Sequence, residues 1–291
     1  MKMTDISGKK AIITGGAMGY GLATCKELLK AGCDITIWDM AEKQMEDASE
    51  ELKKMKLGKV YAYKCDVTDI KRINELVEQA KKDMGRVDIL INNAAYLRVA
   101  YLVDMSISDI VKHTEVNVNA HYYTMKAVLP DMMARNSGWI VNISSAAAFV
   151  SMVRGVPYTS SKWAVHGMCD ALRLEMKALG KNGVKVMSVH PGLAKGGSMF
   201  AGAKMSKITA LIFPEVEQAA LAKSIVKGIK KGKSIVCCPR IGYLFWMLRG
   251  WVPNSLFDSQ QRLLGMSQFA DTIVGRPGMA HTDVNDPKKK P

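Results

Sequence analysis

The chain has 291 residues, of which 48% are apolar, enough for one large α/β domain or two small ones with a full core. Its formal charge of +14 is carried by lysine clusters over 53–64, 223–233 and 288–290. These read as solvated helix faces and a loose tail, with an anionic membrane surface or an acidic ligand as the sharper alternatives. The absence of a recognition motif or an aromatic–basic stripe argues against nucleic acid.

Strand-like and helix-like segments alternate along the chain. Lys10 to Thr14 reads as a strand, Tyr20 to Ala31 as a helix, Asp34 to Trp38 as a strand and Ala41 to Lys56 as a polar helix. Val60 to Lys64 is β, Asp69 to Met84 helical and Asp88 to Ile91 β, and the stretch Ser106 to Arg135 contains a long helix near Pro130. Trp139 to Ile143 (β), Tyr158 to Leu179 (helix), Val184 to Val189 (β), Glu215 to Lys231 (helix) and Ser234 to Cys237 (β) complete the pattern. Such alternation, with short and nearly all-apolar strands, predicts a Rossmann-type doubly wound parallel sheet in a three-layer α/β/α domain over 1–239. The segment Gly192 to Pro214 lacks a regular pattern and reads as a lid with apolar Met199, Phe200, Ile208, Leu211, Ile212 and Phe213. An aromatic, amphipathic extension is expected over 240–276, and 277–291 reads as a disordered tail.

Cys25, Cys33, Cys65, Cys169, Cys237 and Cys238 show no C-x-x-C or zinc spacing, and the 5 histidines form no metal pattern, so reduced core thiols, no metal and a cytoplasmic setting are expected. His121 reads as structural. No signal-peptide pattern precedes Lys10 and no apolar run reaches about 18 residues, so neither secretion by that route nor a membrane span is expected.

Three motifs carry chemistry. The turn Thr14-Gly15-Gly16-Ala17-Met18-Gly19-Tyr20-Gly21 follows the first strand and opens the first helix. Gly15, Gly19 and Gly21 let the backbone approach a pyrophosphate, which the helix N-terminus attracts. Asp39 ends the second strand, where a carboxylate binds both ribose hydroxyls of adenosine and repels the extra phosphate of NADP; the following helix offers it a capping role as well. No Arg or Lys stands at positions 16–18, so NAD is expected over NADP. Tyr158 and Lys162, four residues apart, share one helix face, and Ser145 lies thirteen positions before the tyrosine. A nearby cation is expected to lower the phenol pKa and make Tyr158 an acid/base group for an alcohol.

With these residues together, residues 8–240 resemble the short-chain dehydrogenase/reductase family. The glycine turn matches, as do Asp66-Val67, Asn92-Asn93-Ala94 and the set Asn117, Ser145, Tyr158 and Lys162. The resemblance implies that Asp66 holds the adenine amino group with backbone help from Val67, and that Asn93 lies against the adenosine ribose. It implies further that Ser145 hydrogen-bonds the substrate oxygen, Tyr158 transfers the proton, Lys162 lowers the Tyr158 pKa and binds the nicotinamide ribose, and Asn117 positions a water beyond Lys162. Thr14 and Tyr20 belong to the cofactor turn. Ala95 replaces a common glycine, and Ala194 stands where a threonine often binds the cofactor, leaving its backbone for that contact. Asn119 and Ser144 are the neighbouring alternatives, set aside on family spacing. Dimer or tetramer formation is implied too.

From Pro239 onward the chain resembles, more loosely, the membrane-associated hydroxysteroid and retinol dehydrogenases, whose members commonly carry an N-terminal hydrophobic anchor; here Met1 to Lys9 precede the first strand. That resemblance implies a lipophilic alcohol or ketone: a retinoid, steroid or long-chain lipid. Tyr243, Trp246 and Trp251, with Arg240 and Arg249 at a polar edge, suit peripheral membrane contact through 240–257; a subunit interface or a layer covering the core is the alternative. An NAD-dependent alcohol/carbonyl oxidoreductase is the expectation. The alternatives are a reductase of small polar or carrier-bound carbonyls and a nucleotide-sensing protein without turnover.

Overall fold

The computed structural model describes residues 3–195, 199–200, 202–203, 205, 207–212, 214–263 and 273. Seven strands form one sheet: β1 (Lys10–Thr14), β2 (Asp34–Asp39), β3 (Val60–Lys64), β4 (Ile89–Asn92), β5 (Gly138–Ile143), β6 (Val184–Pro191) and β7 (Ile235–Cys238). All pairs are parallel in the order β3-β2-β1-β4-β5-β6-β7. The order reverses between β1 and β4, which opens a crevice beyond the C-terminal strand ends. This is the doubly wound Rossmann-type sheet that the alternation predicted.

Strand periodicity splits the core in two. Ala11 and Ile13 of β1 face one layer, with α1 (Gly19–Lys30), α2 (Glu42–Lys54) and α8 (Gln218–Lys230), while Ile12 faces the other, with α3 (Ile70–Met84) and, further along the chain, α5 (Ala120–Ala134) and α6 (Val156–Ala178). In α3, Ile73, Leu76, Val77, Ala80 and Met84 recur at helical spacing and are all buried. The Asp69 carboxylate caps it by accepting the Arg72 N–H at 3.0 Å, a contact worth about 1 kcal/mol.

Two segments depart from expectation. The long helix foreseen near Pro130 is divided into α4 (Ile107–Thr114), a π-helical turn Glu115–Asn119, and α5. Local sequence does not require that break. The side chain of Asn117 bonds to the backbone of Tyr96, far away in sequence, and the wider turn lies where it does so. The stretch after β6, expected to be irregular, contains α7 (Lys207–Ile212). Phe213 lies outside the described residues.

Beyond β7, α9 (Gly242–Leu248) and α10 (Asn254–Leu263) lie against the sheet's end. Phe257 is buried with Phe149, Val150 and Cys237, and Tyr243, Phe245 and Val252 pack around them. The Tyr243 hydroxyl donates to the Ile235 carbonyl at 3.1 Å. Of 264–291, including the expected tail 277–291, only Ile273 is among the described residues. The six cysteines are free thiols. Among the described residues no helix is long and apolar enough to cross a membrane.

Candidate active site

The crevice has a nucleotide end and a reactive end. At the first, Thr14 joins β1 to β4: its hydroxyl accepts the N–H groups of Asn93 and Ala94 at 3.0 and 3.1 Å. The Asn93 amide donates back to the carbonyls of Thr14 (3.1 Å) and Gly15 (2.8 Å). Asn93, expected against a ribose, therefore commits its side chain to shaping the turn. Gly15 takes φ +62°, and a Cβ there would come 2.9 Å from the Ala94 Cα. A Cβ on Gly21 would overlap the Gly15 carbonyl oxygen. Gly19 opens α1, whose N-cap, Met18, supplies no side-chain bond to the first-turn N–H groups. The turn thus leaves a side-chain-free cradle at a positive helix end, which fits a pyrophosphate.

Asp39 sits at the C-terminal end of β2, accepting the Ala17 N–H at 3.0 Å and the Ala41 N–H at 3.1 Å. It ties the glycine turn to the start of α2, although the N-cap position itself falls to Ala41. Asp66 accepts the Thr68 N–H and hydroxyl at 2.9 and 2.8 Å, beside buried Val67. The Tyr20 phenol donates to the Gly192 carbonyl at 3.3 Å, linking α1 to the loop after β6. Ala194 is buried in that loop and bridges Val216.

At the reactive end, α6 carries Tyr158 and Lys162 on one buried face, 4% and 2% exposed; Ser145 and Asn117 are 8% and 0% exposed. Ser145 lies just after β5, with its hydroxyl beside the Tyr158 phenol, and it accepts the Ala147 N–H at 3.1 Å. Ser144 turns the other way and donates to the Lys162 carbonyl at 2.7 Å. Lys162 Nζ donates to the Ile143 carbonyl at 3.1 Å and lies 5.6 Å from the Tyr158 ring centroid. Asn117 accepts the Tyr96 N–H at 2.7 Å and donates to the Tyr96 carbonyl (2.9 Å) and the Ser161 hydroxyl (3.2 Å). Asn119 bonds Glu115 at 2.8 Å instead. The structure therefore brings Ser145, Tyr158 and Lys162 together, with Asn117 one hydrogen bond from the residue before Lys162.

One expectation is corrected. Burial pushes the Tyr158 pKa up to about 12, against a smaller lowering by the neighbouring Ser145 hydroxyl. Burial also pulls Lys162 down to about 8. Desolvation of both groups outweighs the attraction read from their spacing, because the ammonium is itself destabilised and points at the Ile143 carbonyl. At neutral pH the free protein holds a protonated phenol.

The wall of this end is apolar. Leu97, Val99, Met152 and Ile273 are buried around Tyr158, and the Phe200 ring meets it edge-on at 5.8 Å. Ile273 belongs to the run 271–276 that resembles the hydroxysteroid and retinol dehydrogenases, but nothing local links it to position 158. Among the described residues no cluster could hold a metal ion. His121 is fully enclosed, burial drawing its pKa down to about 3, and neither ring nitrogen has a hydrogen-bond partner among the described residues.

The fold is that of the α/β dinucleotide-binding class, and the proteins this chain is similar to make it an oxidoreductase. The short chain dehydrogenase family model matches residues 9–206, and the chain belongs to that family. It is 30% identical over 272 residues to human 17-beta-hydroxysteroid dehydrogenase 13, covering 93% of this chain and 87% of that one. It is 28% identical to zebrafish (Danio rerio) retinol dehydrogenase 10-B over 280 residues, 90% of this chain and 83% of the relative. A short chain dehydrogenase/reductase from Burkholderia phymatum, solved in complex with NAD, superposes with a TM-score of 0.75 at 20% identity, over 85% of this chain and 95% of that one.

Proposed function

We propose that the protein is an NAD-dependent dehydrogenase/reductase that interconverts a lipophilic alcohol and its carbonyl compound. The observation that carries this reading is a buried phenol–hydroxyl–ammonium cluster walled by Leu97, Val99, Met152, Phe200 and Ile273. A wall of that composition excludes water and favours an apolar substrate over a small polar or carrier-bound carbonyl. The hydroxysteroid and retinol dehydrogenases among the relatives support a steroid, retinoid or long-chain lipid alcohol.

Bound nicotinamide supplies or accepts the hydride. The protein's own groups do the rest. The Ser145 hydroxyl, beside the phenol, holds the substrate oxygen and stabilises charge developing on it. Tyr158 passes a proton to that oxygen in reduction and takes one in oxidation. Lys162 replenishes the proton and orients the nicotinamide ribose, and Asn117 extends the path past Ser161. At the other end the cradle of Gly15, Gly19 and Gly21 takes the pyrophosphate, with Thr14 and Asn93 shaping it. Asp39, Asp66, Val67, Tyr20 and Ala194 line the rest of the cofactor site. The Asp39 carboxylate beside the Ala17 N–H favours NAD over NADP.

NADH formation with a panel of retinol, steroid and long-chain alcohols tests the reading, with Tyr158→Phe as control. Turnover by Tyr158→Phe equal to that of the parent removes the proton-transfer role.

We further read α9 as a contact for anionic membrane in a cytoplasmic protein. Its inner face belongs to the core, but Leu244, Met247, Leu248 and Trp251 are 46%, 60%, 43% and 88% exposed on the other side. Arg240 is exposed beside them, whereas Arg249 is drawn inward, 4.5 Å over the Phe257 ring. Removing 240–276 would strip the core, so the test is the triple substitution Leu244→Ser, Met247→Ser, Trp251→Ser. It should abolish co-sedimentation with phosphatidylserine vesicles; unchanged co-sedimentation sinks the membrane contact. A second copy of the chain is assigned to the outer face of α5 and α6, where Tyr122, Trp163 and Leu174 are exposed. A monomer in light scattering overturns that assignment.

A further inference from the structure

Two histidines outside the reactive cluster, buried His190 and partly buried His166, have every ring nitrogen hydrogen-bonded. His190, at the end of β6, is 2% exposed; its Nδ1 lies 3.1 Å from the Ser145 carbonyl and its Nε2 3.1 Å from the Ser188 hydroxyl. The same hydroxyl lies 3.5 Å from Nδ1 of His166 on α6, the longest link of the set. His166 Nε2 lies 3.3 Å from the indole Nε1 of Trp246 on α9. Phe149 packs against both imidazoles, with ring centroids 4.4 Å from His190 and 5.5 Å from His166.

The two ends of this row fix its direction. A backbone carbonyl only accepts, so His190 carries a proton on Nδ1, and burial, which keeps the ring neutral, leaves Nε2 bare. That nitrogen can only accept, so Ser188 donates to it, and the Ser188 oxygen receives from His166 Nδ1–H. His166 then presents a bare Nε2 as well, which matches the one group that must donate there, the indole N–H. Four bonds therefore run head to tail from Trp246 to Ser145 with both imidazoles neutral and in the same tautomer. Burial favours that state, drawing His190 down to about 3 and His166 below its ordinary range. Asp170 Oδ2, 3.7 Å from His166 Nε2, shares no proton with it while the ring is neutral.

We propose that His190, Ser188 and His166 are positioning residues: a one-directional hydrogen-bond chain through which the docked helix α9 holds the Ser145 backbone, and with it the Ser145 hydroxyl, at Tyr158. This rests on the reading of Ser145 given above. The chain explains why an aromatic extension remote from the cofactor turn is tied to β6 and α6 through an indole N–H. Head-to-tail bonds polarise one another, so loss of the far link weakens the near one.

Histidine ring nitrogen shifts of the 15N-labelled full chain, without cofactor near pH 7, test the chain directly. Both His166 and His190 should be neutral Nδ1–H tautomers, and Trp246→Phe, which keeps an aromatic ring and removes the donor, should shift His166 Nε2. An Nε2–H tautomer at His190, or no shift at His166, overturns the proposal. Kinetics give the second arm, using the alcohol turned over fastest in the panel. Ser188→Ala should lower kcat about tenfold with the KM for NAD unchanged, as expected of a small misplacement of a reacting group. His190→Asn, whose amide N–H can still reach the Ser145 carbonyl, should keep more activity than His190→Phe. In a Ser145→Ala background Ser188→Ala should add no further loss. Full activity of Ser188→Ala and His190→Phe beside a crippled Ser145→Ala refutes the chain alone; full activity of Ser145→Ala refutes the site reading on which it stands.

Discussion

Replacing Lys162 by methionine should make the protein more stable and catalytically dead. The side chain is 2% exposed, and burial draws its pKa from 10.5 to about 8. A tenfold change in proton affinity is worth about 1.4 kcal/mol, so keeping a protonated lysine in this place costs about 3 kcal/mol. Methionine fills similar space without charge but loses the bond to the Ile143 carbonyl, worth about 1 kcal/mol. The net gain at pH 7 is about 2 kcal/mol, or about 5 °C in Tm for a domain of this size. The sign with pH follows from the depressed pKa. Between about 8 and 10.5 the unfolded chain holds this proton and the folded one does not, so the parent gains stability as pH rises through that window. Above it the lysine's contribution is fully present; as pH falls through about 8 it is lost. The advantage of Lys162→Met should therefore shrink across the window. Thermal and urea melts of both proteins without cofactor, near pH 7 and again near 9.5, measure it. Tyr158 deprotonates only near 12 and does not interfere. A variant less stable than the parent at pH 7, or an advantage that does not change with pH, refutes the desolvation argument.

Gly21→Ala should abolish NADH binding in a fluorescence titration, because its Cβ overlaps the Gly15 carbonyl, and should cost about 2 kcal/mol of stability by the overpacking mechanism. Asp39→Asn keeps an acceptor for the Ala17 N–H while removing the charge, and should improve the ratio of kcat/KM for NADP over NAD about tenfold by relieving repulsion of the extra phosphate. Reduction of a carbonyl substrate should have a flat pH profile through the neutral range, because the phenol is protonated until about 12; a profile falling already between pH 6 and 7 would contradict that assignment.

The sheet was legible in the sequence because its strands are buried on both faces. Runs such as Ile89-Leu90-Ile91 have no solvent side to disguise them, and the glycine turn sits between a strand and a helix as its chemistry requires. What stayed hidden depends on distant partners. The π turn at Glu115–Asn119 accompanies Asn117 bonds to the Tyr96 backbone, which no local pattern encodes. Spacing put Tyr158 and Lys162 on one face but could not give the direction of the phenol's pKa, which is decided by how much apolar surface closes over it. The histidine row joins β6, α6 and α9, and becomes visible only when β5 and β6 lie side by side with Asn142 opposite Ser188.

The same burial that creates the apolar wall also sets the proton inventory of the reactive end. Leu97, Val99, Met152 and Ile273 remove water from Tyr158, and the phenol responds by holding its proton. On the proposed reading, a protonated phenol beside a hydroxyl is a donor for a carbonyl oxygen, which suits the free protein to reduction. On the same reading, oxidation needs that pKa to fall toward the working pH; the Ser145 hydroxyl lowers it in the free protein, and the nearby cation is Lys162, 5.6 Å from the ring centroid. Lys162, drawn to about 8, is itself close to losing its charge there. On the proposed reading, the balance between the two directions should turn on small displacements of Ser145 and Lys162. Their anchors are the Ile143 and Ser145 carbonyls, held by Lys162 Nζ and His190. On that reading, small changes at these two backbone oxygens should alter the proton held by Tyr158, whereas changes of equal size in the glycine turn should alter how tightly the nucleotide is held.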